Sequence, residues 1–143
     1  MRSQGVDHVH IVVEDLDRAS EFFTQLFESQ GAAIKEVPEF GFRFQFIQVG
    51  STVIELLEAT SPDSPIGQFL KNRGEGVHAL SFKVDDLDAA VAELQRRGLR
   101  LVSRATVGRI REAHFHPKDT HGFMIELVEH PGTIGATIDF MER

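Results

Sequence analysis

A duplication constrains this chain more than any other feature. The segment "VEDLDRASEFF" from Val13 lines up with "VDDLDAAVAEL" from Val84, and "VIELLE" from Val53 lines up with "MIELVE" from Met124, both at a separation of 71 residues. Two separated blocks sharing one offset imply two copies of one supersecondary unit, each able to cover the other's apolar face. Both copies open with alternating residues, "HVHIVV" and "ALSFKV", the period of a half-buried strand. A helix follows in each. Leu16, Ala19, Phe23, Leu26 and Phe27 make one apolar stripe, and Leu87, Ala90, Val91 and Leu94 make the other, stopped by Gly98. Three further strands are expected in each copy, at 33–37, 43–49 and 52–57, then at 100–104, 112–116 and 123–128. Each copy reads βαβββ.

The expected class is therefore α+β, with two tandem βαβββ modules in a single domain over 1–143. The first module spans about 6–60, and Pro65 and Gly74 bracket a connecting helix at about 63–73. The second module spans about 76–129. The tail at 130–143 shows little periodicity and is expected to be mobile or to dock on a neighbour. A chain of 143 residues can bury a core without covalent staples, and with no cysteine any metal must sit on nitrogen and oxygen. The net charge of -7, without a basic stripe, argues against nucleic acid and mildly favours a cationic ligand. No apolar run is long enough to span a bilayer and the N-terminus does not read as a signal peptide, so no membrane partner and a cytoplasmic address are expected.

Alternation along the first strand puts Val9, Ile11 and Val13 on one face and His8 and His10 on the other. In the second copy, Ala79 and Ser81 take the places of His8 and His10, while His78 points to the helix side. Glu55 and Glu126 are equivalent by the same offset, and a glutamate flanked by aliphatic residues demands a partner. Single glutamates in such strands are more often half-exposed, but the repetition and the nearby histidines favour a site. His116, His121 and His130 are expected at the surface or in turns. Arg109 and Arg111 lead into the strand carrying His114, either to meet an anionic substrate group or as a solvated loop pair.

"VDHVHIVVEDLDRASEFF", "IELLEATSPDSPIGQFLKNRGEGVH" and "FHPKDTHGFMIELVE" together resemble the vicinal oxygen chelate superfamily (glyoxalase, bleomycin resistance and dioxygenase proteins), and within it the methylmalonyl-CoA epimerase group. The resemblance covers about residues 6–129. It implies paired modules in a curved, cleft-bearing sheet that holds a divalent metal, with His8, Glu55 and Glu126 as ligands. Epimerase relatives read "GVHHIAF" where this chain has "GVHALSF", so their second metal histidine falls on Ala79. Their catalytic carboxylate falls on Phe44. His10 and His114 are the candidates to restore the ligand or the base, with Glu126 beside His114 in the chemistry, and zinc, cobalt, nickel, iron or manganese would suit such a donor set. Phe44, Ala79, Ser81 and Arg111 are expected to line the substrate cleft.

Two kinds of function compete. One is a metal-dependent epimerase or isomerase that acts on a small carbonyl compound or acyl-CoA thioester through an enolate-type intermediate. The other is a metal-free protein that binds small molecules with Phe42, Phe44 and Phe46 around its cleft. A glyoxalase-type lyase is a third reading. A homodimer is implied by the resemblance alone.

Overall fold

A computed structural model describes residues 1–141. The elements run β1 (Ser3–Val12), α1 (Leu16–Leu26), β2 (Lys35–Val37), β3 (Phe42–Val49), β4 (Thr52–Ala59), α2 (Pro65–Arg73), β5 (Gly76–Val84), α3 (Leu87–Arg96), β6 (Leu101–Val107), β7 (Ile110–Phe115), β8 (Met124–Glu129) and α4 (Thr137–Met141). The class is mixed α+β, and βαβββ recurs as the repeat predicts. The opening strands begin earlier than their alternation suggests, at Ser3 and Gly76.

The chain forms two compact units, Val9–His78 and Met1–His8 with Ala79 onward. In the first, β2 pairs with β3 and β3 with β4, both antiparallel, and β4 lies beside β1. Val13, Leu16, Ile47 and Leu56 are buried together, with Ile11, Ala19 and Phe23 packed against them. The helical stripe is shorter than expected. Leu26 and Phe27 are 57% and 44% exposed, because the core under α1 is already filled by Leu16, Ala19 and Phe23. Phe27 stacks on Phe23 instead, with ring centroids 6.2 Å apart. The connecting helix α2 starts where Ser64 accepts a hydrogen bond from the Gly67 amide and Pro65 fills the first turn. It ends at Gly74, whose φ of 76° lies in the region a side chain would strain.

In the second unit β5 pairs with β8 in parallel, while β8–β7 and β7–β6 are antiparallel. Val84, Leu87, Ala90, Val91, Leu94, Ala113, Phe115 and Leu127 form its core, and all four predicted positions of α3 are inside. The start of β1 belongs here by its bonds: the Ser3 hydroxyl donates to the Lys83 carbonyl at 3.0 Å, and the Gln4 amide donates to Asp85. The tail corrects the sequence reading. It docks within its own unit through His130, Gly135 and Thr137, all bonded to Asp7, and His130 is only 5% exposed rather than at the surface. A buried carboxylate on β1 supplied the acceptor that periodicity alone does not reveal.

Each copy also carries the same clasp at its helix N-terminus. Asp15 and Asp86 cap α1 and α3 with bonds of 3.0 Å from the Arg18 and Ala89 amides. The Leu16 and Leu87 amides donate to Glu58 and Glu129, which are again 71 residues apart. Arg43 then bridges Glu58 and Asp17 at 2.9 and 3.1 Å, and Arg111 bridges Asp88 and Glu129 at 2.9 and 3.3 Å. Arg104 and Arg111 hold the Asp88 carboxyl below its usual range. Glutamate at this place satisfies an amide that the helix itself leaves without an acceptor and opposes the helix dipole. Replacing Glu129 with alanine should therefore lower urea-unfolding stability by about 1–2 kcal/mol. An unchanged midpoint would show that the clasp contributes nothing.

Candidate functional site

Glu126 lies in the middle of β8 and is 1% exposed. Register decides its neighbours: Ser81 of β5 and His114 of β7 both stand directly beside it. The Ser81 hydroxyl donates to Oε1 at 2.7 Å, and His114 Nε2 is 2.7 Å from Oε2. His8 Nε2 approaches Oε1 at 3.3 Å. The other nitrogen of His114 meets the Ser103 hydroxyl at 3.0 Å, from the neighbouring position on β6. Glu112, two residues before His114 on the same face of β7, completes a trio in which one donor atom each of Glu112, His114 and Glu126 lies within 4.8 Å of the others. Ala79, two residues before Ser81, is buried and brings no donor.

Sequence reasoning missed Asp7, although it stands in "VDHVH". Alternation sets it on the face away from His8, so no period argument selects it. It is fully buried and accepts from His8 Nδ1 at 2.9 Å, His130 Nε2 at 2.9 Å, the Gly135 amide at 2.9 Å and the Thr137 hydroxyl. Burial alone would raise its carboxyl, but the bonds from His130, His8, Thr137 and Gly135 outweigh burial and hold it well below the usual range. An ionised carboxylate only accepts, so His8 Nδ1 carries a proton. His8 Nε2 then faces Glu126 Oε1 either as a proton donor or, with its lone pair, across a bound metal cation. Ligand atoms around a zinc-sized cation sit about 3.0–3.5 Å apart, given bonds of about 2.0–2.2 Å. The all nitrogen and oxygen donor set at Glu126 therefore fits a divalent metal.

The unit Val9–His78 brings together a different pair. His10 Nδ1 is 3.3 Å from Glu55 Oε2, and both residues are buried. Phe46 stands beside Glu55 in the register, where His114 stands beside Glu126 in the other copy. Phe44 is 6% exposed and packs edge-on against Phe46 with ring centroids 5.6 Å apart, while Phe42 tilts against Phe44 at 6.2 Å. His78 meets the ring of Phe69 in α2 edge-on at 4.9 Å, a packing role. His116 accepts from the Lys118 amide in the turn after β7, and His121 holds a turn with φ of 65°. Arg111 is engaged in the helix clasp, and Arg109 lies over the ring of Phe140 at 5.5 Å.

Acid should act on this network through Asp7. A carboxyl held below its unfolded value of about 3.9 stabilises the fold above that pH and loses its contribution as pH falls through and below it. The wild-type protein should lose stability between about pH 5 and pH 3 more steeply than an Asp7→Asn variant. Parallel stability curves would contradict the assignment.

Residues 7–115 match the Glyoxalase/Bleomycin resistance protein/Dioxygenase superfamily. Mitochondrial methylmalonyl-CoA epimerase of Mus musculus is 36% identical over 130 residues, covering 85% of this chain and 71% of that protein. A Streptomyces coelicolor methylmalonyl-CoA epimerase variant in complex with 2-nitronate-propionyl-CoA superposes with a TM-score of 0.83 at 31% identity, over 92% of this chain and 100% of that one. The Mycobacterium tuberculosis methylmalonyl-CoA epimerase gives 0.82 at 33% identity, over 94% and 93%. The fold is thus glyoxalase-like, and this chain belongs to the glyoxalase, bleomycin resistance and dioxygenase superfamily, with methylmalonyl-CoA epimerases among its relatives.

Proposed function

We propose that this protein is an acyl-CoA epimerase-like enzyme that exchanges the proton on the carbon next to a thioester carbonyl. The observation that carries the reading is the buried Glu126 carboxylate with His8, Ser81 and His114 gathered on it. The similarity to enzymes named for methylmalonyl-CoA supports the substrate class. Glu126 is the ligand a divalent cation would use, with His8 beside one of its oxygens and Glu112 in reach of the same carboxylate. When bound, such a cation would stabilise negative charge on the thioester oxygen.

The chain's own groups take the remaining tasks. Ser81 donates to Oε1 and so fixes the rotation of the carboxylate. His114, 19% exposed in its side chain, reaches toward solvent, and its imidazole takes the proton from one face of the carbon, the opposite face receiving its proton from solvent. Glu126 beside its Nε2 favours the protonated ring once the proton has arrived. Within the unit Val9–His78, His10 beside Glu55 is a separate candidate for proton transfer or ligation. Phe44 leaves no carboxylate at the position where epimerase relatives are expected to carry their base, so proton transfer here rests on imidazole. A homodimer and a cytoplasmic location complete the proposal. Among the described residues no helix is long and apolar enough to cross a membrane.

The test is methylmalonyl-CoA incubated in deuterium oxide with metal-supplied protein. One deuterium should enter at the carbon between the carbonyls, and His114→Ala should slow its entry by about 100-fold or more. Exchange no faster than the protein-free control would sink the proposal.

A further inference from the structure

The groups that converge on Asp7 come from two places. His8 is its neighbour on β1, while His130, Gly135 and Thr137 all belong to the segment after β8, beyond the last residue of the superfamily match. That segment is shaped closely. His130 stacks on Phe140 with ring centroids 5.6 Å apart, and a Cβ added at Gly132 would stand 2.5 Å from the Phe140 ring. A side chain at Gly132 would force the Phe140 ring or Ala136 to shift, so the turn packs closely against α4. Gly135 adopts φ of 80°, which aims its amide at Asp7 Oδ1.

We propose that this C-terminal segment is a positioning element of the site: through Asp7 it holds His8 in the form protonated at Nδ1, with Nε2 presented toward Glu126. Four donors, two on each oxygen, leave the Asp7 carboxylate one orientation, and His8 Nδ1 must meet it there. A carboxylate behind a histidine sets which ring nitrogen is left to bind a cation. The inference rests on the reading of His8 and Glu126 as cation ligands, but the state of the His8 ring can be measured without any cation. Asp7 and the tail touch neither substrate nor cation; they act through His8.

The experiment is nitrogen-15 NMR of histidine-labelled full-length protein, which reports the protonated nitrogen of each ring, followed by cobalt(II) titration of the same samples. Wild-type His8 should show a single species protonated at Nδ1. Asp7→Asn, whose amide cannot accept from all four donors, should show a mixture of ring forms and bind cobalt(II) at least about tenfold more weakly. The double variant His130→Leu with Thr137→Val, which leaves Asp7 itself in place, should show the same mixture and a loss of the same sign. His130→Gln, whose amide nitrogen can occupy the place of Nε2, should restore the wild-type pattern. A His8 ring that keeps its wild-type form in folded Asp7→Asn and in the double variant would overturn the proposal and leave the tail as packing alone. If cobalt(II) fails to bind even the wild-type protein, the cation reading fails, and the ring forms still decide the role of the tail.

Discussion

A carboxylate buried at Glu126 is the constraint around which the second unit is arranged. A carboxyl group that is 1% exposed loses its hydration, which must be recovered from hydrogen-bond donors or from a cation. Strand register supplies two partners at once, since a central strand places its middle residue beside one residue on each neighbour. Ser81 and His114 therefore reach the two oxygens without any special loop. His8 arrives from β1, and the bonds of Asp7 hold it there. The site is built on strands, with the tail behind it, and strands keep such side chains within the tolerance that proton transfer and metal ligation need.

Duplication gave the chain two glutamates at equivalent places, and their surroundings have diverged. Beside Glu55 in the register stands Phe46, within a row of phenylalanines, and His10 is its polar partner. Beside Glu126 stand a serine and a histidine. Yet the clasps at the helix N-termini are the same in both copies, from the capping aspartates to the bridging arginines. Backbone-supporting interactions have stayed in step while the groups beside the two glutamates have not. That pattern is expected when the fold imposes one set of demands and the chemistry another.

Much of this was legible in the sequence because it rests on periods. The offset of 71 identified the repeat, alternation put His8 on the face away from Val9, and the equivalence of Glu55 and Glu126 singled out both carboxylates. The α3 stripe is legible because all four of its apolar positions fill one core. The α1 stripe was overextended at Leu26 and Phe27, because a pattern does not say how long the core beneath it is. Asp7, Ser103, Glu112 and the docking of His130 were not legible. Each depends on partners that are adjacent only through register or through the path of a nonperiodic tail. "DH" in the first strand was the one local signal for Asp7, and only the folded chain shows that its carboxyl holds His8.

The central claim, that Glu126 anchors a divalent cation, is tested most directly by anomalous diffraction from crystals grown with cobalt(II). The account predicts a peak within about 2.0–2.3 Å of a Glu126 oxygen and of His8 Nε2. A peak elsewhere, or no peak at Glu126 at saturating cobalt(II), would contradict it.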